Sequence, residues 1–328
     1  MSELAVAAFA AETSAHVPEA PRTTRFAAFC RRFDEGAYRA QLASRGLRFV
    51  GRSEPGFPQL LRAIHDPPSG LFLRGDPEPE LLSRPAVAIV GARACSAYGA
   101  EVARMLGREL AGAGLVVVSG LARGVDGAAH RGALDAGGPT VAVLGCGIDR
   151  DYPAAHAALA REIAAHGLVV SEYAPGVEPA PWRFPARNRV IAGLAHATVV
   201  VEARERSGAL ITADLALEEG REVLACPGEI TSALSAGTNA LLRLGATPLT
   251  RVEDALEAFG LERTEVSPPE VGPTARRVLE CVADASAGID ELIGATGLGA
   301  AELAGALTEL ELAGLVVGSD GIYRAAPH

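Results

Sequence analysis

From Ala86 onward, short apolar runs rich in β-branched residues alternate with longer stretches of helical periodicity: Val87–Val90, Leu115–Val118, Thr140–Leu144, Leu168–Val170, Thr198–Val201 and Val223–Ala225. Such runs offer no polar face to water, so each strand must be covered on both sides. Strands of that kind separated by helices predict an α/β fold built on a parallel sheet. Upstream, Arg25–Arg45 has room for one or two short helices, Leu47–Val50 reads as a strand, and Pro55-Gly56-Phe57-Pro58 reads as a turn. Residues 1–20 are Ala-rich and lack paired helix start and stop signals, so the expectation for 1–45 is a disordered tail followed by a short helical segment. The main domain is expected over 46–265. Pro268, Pro269, Gly272 and Pro273 make 266–273 a stiff linker. Beyond it, helical stretches at Thr274–Ala283, Ile289–Gly294 and Ala300–Leu312 precede a hairpin formed by Leu315–Val317 and Gly321–Tyr323, which predicts a winged helix over 274–328.

Composition narrows the class. The chain has 328 residues, 49% hydrophobic and 5% aromatic, so its core is aliphatic and large enough for one big domain and a satellite. No apolar stretch approaches the roughly 20 residues that span a bilayer, and the first residues lack a basic region followed by an apolar one, so no membrane association and a cytoplasmic location are expected. Five cysteines lie far apart without a C-x-x-C pair, which gives no disulfide framework and no zinc site.

Net charge is −10, which taken whole argues against nucleic acid. Its distribution changes that reading. Residues 252–328 carry 4 Arg against 14 acidic residues, whereas the preceding chain is balanced. All 30 basic residues are Arg, so any phosphate contact must use a guanidinium or a backbone N–H.

Ligands of open parallel sheets bind beyond the carboxyl ends of the strands, and four loops there share one design. Gly91-Ala-Arg93-Ala-Cys-Ser96-Ala-Tyr98-Gly99 combines glycines, a guanidinium and a capping serine. Ser119-Gly120-Leu-Ala-Arg123-Gly124-Val-Asp126 again leads into a helix, whose N-terminus suits an anion. Trp182-Arg183-Phe184-Pro-Ala-Arg187-Asn188-Arg189 places three Arg beside two aromatic rings, which suits a phosphodiester chain and a stacked base. Ser207-Gly208-Ala-Leu-Ile-Thr212 repeats the turn-then-helix pattern, and Gly237-Thr238-Asn239 could close the rim. One glycine turn before a helix is ordinary structure, but four at one sheet edge are harder to dismiss. Gly145-Cys-Gly147 lacks the dinucleotide fingerprint, and a chain without lysine has no Walker loop, so no cofactor is expected.

Candidate acid–base groups are sparse. His130 could orient a loop or be a satisfied core histidine. Asp126 could be a helix cap or a partner for Arg123. Glu202 could act as a general acid, or could hold Arg187 or Arg204. Cys146 has no dedicated base.

At these residues the chain resembles the DprA/Smf family, the DNA-processing protein A family. Gly91-x-Arg93-x-x-Ser96-x-Tyr98-Gly99, Ser119-Gly120-x-Ala122-Arg123-Gly124-Val125-Asp126, Leu144-Gly145-x-Gly147-x-Asp149 with Tyr152-Pro153, Phe184-Pro185-x-Arg187-Asn188-Arg189, and Ser207-Gly208-Ala209-Leu210-Ile211-Thr212 occur in family order. The resemblance implies an extended Rossmann-like domain that forms a homodimer, binds single-stranded DNA without sequence preference, and passes it to the RecA recombinase in natural transformation. A single-stranded-DNA-binding protein is a further partner it implies. It assigns DNA contact to Gly91, Arg93, Ser96, Gly99, Ser119, Gly120, Arg123, Gly124, Arg150, Tyr152, Arg183, Phe184, Arg187, Asn188, Arg189, Ser207, Gly208, Thr212 and Asn239, with no catalytic residue and no metal. Arg150 stands in for a polar group that relatives carry after Tyr152-Pro153, where this chain has Ala154-Ala155-His156. The N-terminal helical segment is shorter than in many relatives. The rival reading is a Rossmann-like nucleotide-processing hydrolase with Glu202 as its acid, and fold alone does not separate the two. The winged helix lacks a basic recognition helix, so it is expected to meet protein rather than DNA.

Overall fold

The computed structural model describes residues 2–13, 23–261, 271–284, 287–319 and 321–325. The chain divides into two units, Met1–Arg263 and Thr264–His328.

The apolar runs form the first unit's sheet. Its strands are β1 (Leu47–Gly51), β2 (Gly70–Arg74), β3 (Ala86–Val90), β4 (Val116–Ser119), β5 (Thr140–Val143), β6 (Leu168–Ser171), β7 (Ala197–Val200), β8 (Glu222–Ala225) and β9 (Thr247–Pro248). They lie in the order β1-β2-β6-β5-β4-β3-β7-β8-β9. From β6 to β9 all pairings are parallel, while β1 and β2 form an antiparallel extension at the β6 edge. Alternate side chains serve opposite layers. Ala88 and Val90 pack with Val190, Ile191 and Ala213 from the helices Arg183–Leu194 and Gly208–Glu218. Val87 and Ile89 pack with Leu106, Leu110 and Ala129 from the helices Ala97–Gly112 and Val125–Asp135. This is the α/β, extended Rossmann-like architecture, and it explains why the strands carry no polar alternation.

The chain runs outward through β3, β4, β5 and β6, then crosses back to place β7 beside β3. The strand order therefore reverses at β3, and the loops leaving β3 and β7 diverge there to open a crevice.

The N-terminal expectation needs correction. Instead of a frayed tail, Glu3–Thr13 is a helix with Leu4, Val6 and Phe9 buried, while residues 14–22 lie outside the described residues. Tertiary burial stabilises what propensity and caps alone do not. Phe9 meets Phe26 and Phe29 at 5.0 and 5.4 Å between ring centroids, and the Glu3 carboxylate accepts hydrogen bonds from the Ser53 backbone N–H and hydroxyl at 3.0 Å. The helices Thr24–Arg32 and Glu35–Ala43 follow, each capped by the side chain ahead of it, Thr23 and Asp34.

The second unit is a winged helix. Helices Pro273–Asp284, Ile289–Thr296 and Ala300–Leu312 enclose Val278, Leu292, Leu303 and Leu310. Strands β10 (Ala287–Gly288), β11 (Val316–Ser319) and β12 (Ile322–Ala325) pair antiparallel in the order β10-β12-β11. The third helix exposes Glu302, Glu309 and Glu311 and carries no basic residue. The linker expected at 266–273 lies, up to residue 270, outside the described residues. Among the described residues, no helix is long and apolar enough to cross a membrane.

Candidate nucleic-acid interface

The loops after β3, β4 and β7 and the start of the helix Arg183–Leu194 line a cleft of about 340 Å3 at the crevice. Its walls include Arg93, Asp126, Phe184, Arg187, Arg204 and Ser207. Two helices begin there with side-chain caps. Ser96 Oγ accepts from Gly99 N at 2.9 Å and Ser207 Oγ from Ala209 N at 3.3 Å. Gly91 and Gly208 lie in the same walls.

The arginines separate into two groups. Arg93, Arg123, Arg204 and Arg206 are exposed. Arg93 lies over the Phe184 ring at 5.3 Å, and Phe184 stacks on Tyr152 at 5.2 Å with Tyr152 40% exposed, so a cation and two rings form one ladder. Arg123, Arg204 and Arg206 have no side-chain partner among the described residues. Arg204 and Arg206 escaped the sequence reading as contacts, although their Arg-Glu-Arg spacing immediately before the Ser207 cap was visible.

Arg183, Arg187 and Arg189 are buried. Arg187 donates to the carbonyls of Gly120, at 2.8 Å, and Val143. Gly120 must lack a side chain, since a β-carbon there would lie 2.6 Å from the guanidinium. Burial pulls Arg187 down to about 10, with the negative charge of Asp126 opposing that and Arg93 adding to it. Asp126 caps nothing and does not pair with Arg123. Its carboxylate accepts from Gly120 N and Ala122 N at 3.1 and 3.3 Å, and burial raises its pKa against the opposing pull of Arg187. Arg189 grips Glu172 with two donors at 2.9 and 2.8 Å and reaches Asp66 at 2.9 Å, which ties the segment before β2 to the end of β6. Arg183 donates to Glu178 O and packs over Tyr173 and Trp182 at 5.3 and 4.7 Å.

The remaining predicted residues also have protein partners. Asn188 donates to Gly208 O at 3.0 Å, Thr212 donates to the same carbonyl at 3.4 Å, and Ser119 donates to Ile89 O at 2.6 Å. Asn239 and the Gly228 peptide exchange two hydrogen bonds, at 3.2 and 3.0 Å. Arg150 pairs with Glu178 at 2.5 Å and donates to Gly176 O at 3.3 Å. Gly124, with φ 74°, turns the β4 loop into its helix.

Glu202 is buried at the end of β7, where it accepts from Ser96 N and Oγ at 2.9 and 2.5 Å. Gly99 leaves room for it, since a β-carbon there would sit 2.5 Å from the carboxylate. It therefore organises the Arg93 loop and pairs with neither Arg187 nor Arg204. His130 is wholly buried, with Nδ1 2.7 Å from Thr140 Oγ1, and burial lowers it to about 3. Cys146 is buried and raised to about 11. Among the described residues, no cluster of His, Cys, Asp or Glu is arranged to hold a metal ion.

Residues 48–260 match the profile of DNA recombination-mediator protein A, and residues 262–321 match the DprA winged helix domain. A DNA processing protein DprA of Mycobacterium tuberculosis is 48% identical over 249 residues, 73% of this chain and 64% of that protein, so the match spans just under two thirds of the relative's length. Protein Smf of Escherichia coli is 40% identical over 81% of this chain and 74% of its own. The X-ray structure of DNA processing protein A from Streptococcus pneumoniae superposes with a TM-score of 0.67 at 37% identity, covering 78% of this chain and 92% of that one. The Helicobacter pylori DNA processing protein A, described with a single-stranded DNA binding mode, gives 0.59 at 32% identity, covering 65% and 95%.

Proposed function

The chain belongs to the DNA recombination-mediator protein A family, and on that premise we propose that its cleft binds single-stranded DNA without sequence preference, in a cytoplasmic recombination mediator that works without catalytic turnover. The observation that carries the reading is the set of exposed guanidiniums: Arg93, Arg204 and Arg206 in the walls of one cleft beside the Tyr152–Phe184 ladder, and Arg123 next in sequence to the wall residue Ala122. Guanidiniums and capped helix N-termini meet phosphates, and the ladder meets bases of any identity. Gly208, which has open space where a side chain would stand, lets the backbone approach the strand, the Ser96 and Ser207 caps set the two helix starts, and Gly91 and Gly99 make room behind them for Val125 and Glu202. Arg187, Arg189, Asn188, Arg183, Arg150, Ser119, Thr212 and Asn239 act behind that surface, through the carbonyls, carboxylates and rings they already engage. Delivery of the strand to RecA, exchange with a single-stranded-DNA-binding protein and assembly as a homodimer belong to the same proposal.

The hydrolase reading takes Glu202 as its acid, and both oxygens of that carboxylate accept from Ser96. Oligo-dT binding across a salt series tests the proposal. On single strands log affinity falls with log salt by roughly 0.7 per neutralised phosphate. Arg93→Ala with Arg123→Ala should weaken oligo-dT and mixed-sequence strands alike and flatten the slope by about 1.4. Unchanged binding by that variant, or release of base from AMP by the wild type, would discard it.

A further inference from the structure

The β4 loop runs Ser119-Gly120-Leu121-Ala122-Arg123-Gly124, and at its centre Leu121 has φ 58°. It is the only non-glycine residue with positive φ among the described residues. That conformation sets Cβ against the following carbonyl and persists only where the surroundings fix it.

One anchor is the side chain, wholly buried in the layer that holds Leu144, Cys146 and Ile148. The other is the carbonyl, which lies 3.0 Å from Nδ1 of His156. A carbonyl oxygen can only accept, so the imidazole holds a proton on Nδ1 and donates it. His156 is buried, and its ring rests on the helix Val125–Asp135 at Gly127, where a β-carbon would lie 2.6 Å from Cε1. The neighbouring peptide groups are engaged too. Asp126 takes the N–H of Gly120 and of Ala122, and Arg187 donates to Gly120 O. Gly120, Leu121 and Ala122 are thus each fixed by a buried side chain, and the next residue is Arg123, whose guanidinium is exposed and without a partner among the described residues.

His156 ends the short turn Ala154–His156, four residues after Tyr152. One stretch of chain therefore carries a ring of the aromatic ladder and the tether beneath the Arg123 loop. We infer that His156 is a positioning residue for DNA binding: its Nδ1–H holds Leu121 left-handed and so aims Arg123 at a strand phosphate. This rests on the reading of the cleft as a single-stranded DNA site.

The experiment is a double-mutant cycle between His156 and Arg123, read as oligo-dT affinity in the full chain across a salt series, with thermal melting beside it. Arg123→Ala should weaken binding about tenfold and flatten the salt slope by about 0.7. His156→Leu keeps much of the ring's volume but has no donor, and should reproduce both effects. In the Arg123→Ala background it should add less than about twofold, because the contact it serves is already gone. His156→Asn retains an N–H donor of similar reach and should restore most of the affinity and the slope. If His156→Leu melts too low to assay, His156→Met, also without a donor, takes its place, and loss of affinity and slope there with recovery in His156→Asn is the expected result. Losses that add in the double variant, or a His156→Leu protein that binds with the wild-type slope, would overturn the positioning role while leaving the cleft as the DNA site. An Arg123→Ala variant that binds as the wild type does would overturn both.

Discussion

Arg187 looks like the most available cation of its motif and is the least available in the fold. Replacing it with alanine removes the donor for Gly120 O and Val143 O and the cation that most offsets the buried charge of the Asp126 carboxylate. Leaving such a charge uncompensated in the interior costs about 3–5 kcal/mol. In a domain of this size each kcal/mol moves the melting temperature by about 2–4 °C, so Arg187→Ala should melt roughly 10 °C below the wild type at pH 7.5. The sign with pH follows from Asp126. Its folded pKa is already raised by burial and rises further without Arg187, so the stability it contributes is fully present below the unfolded pKa and lost as pH rises through the folded one. The deficit should therefore be largest at neutral pH and shrink on acidification, and Asp126→Asn should relieve part of it. Circular dichroism melts of the three proteins from pH 5 to 8, with oligo-dT affinity measured at 10 °C on the folded fraction, check this. An Arg187→Ala protein that melts within 3 °C of the wild type yet loses its DNA affinity would refute the reasoning, because its guanidinium would then be serving phosphates rather than the loop.

Three further outcomes follow from buried or charged groups. Arg189→Ala frees Glu172 and Asp66, and should cost about 3 kcal/mol and raise hydrogen exchange across β1 and β2 before the rest of the sheet; uniform exchange would count against it. His130, held near 3 while its unfolded value is 6.5, takes up its proton only on unfolding, so stability should fall by about 2 kcal/mol between pH 6.5 and 5 and His130→Gln should flatten that limb of the melting curve. Truncation after Glu270 should leave oligo-dT binding within a few-fold, since the third helix of the winged unit has only acidic charge; binding of DNA by the isolated winged helix in a mobility-shift assay would contradict this.

The six central strands were legible because a strand buried on both faces is apolar throughout, as Ala86–Val90 is. β2 was not, since Gly70-Leu-Phe-Leu-Arg74 has only three apolar residues and gains its place by pairing with β1 and β6. The helix Glu3–Thr13 was missed because its stability comes from Phe9 against Phe26 and Phe29, contacts no local signal encodes. The four loops were readable from glycines, caps and guanidiniums. Which guanidiniums face outward was not: Arg123 and Arg187 have the same chemistry, and only the Gly120 and Val143 carbonyls lying against one of them decide its fate.

The reversal of strand order at β3 also bears on how the molecule is made. β3 pairs on one side with β4, which follows closely, and on the other with β7, Val87 lying opposite Ala197. A nascent chain emerging from the ribosome can assemble β3 to β6 and their helices while that second side of β3 stays an open edge. The loops bearing Arg93 and Arg123 then exist before the wall bearing Arg204 and Arg206 has been translated. The cleft is completed only by a closure of long sequence separation, which is among the slower events of folding. Until then the unpaired edge of β3 presents a row of free N–H and C=O groups with which another chain can pair.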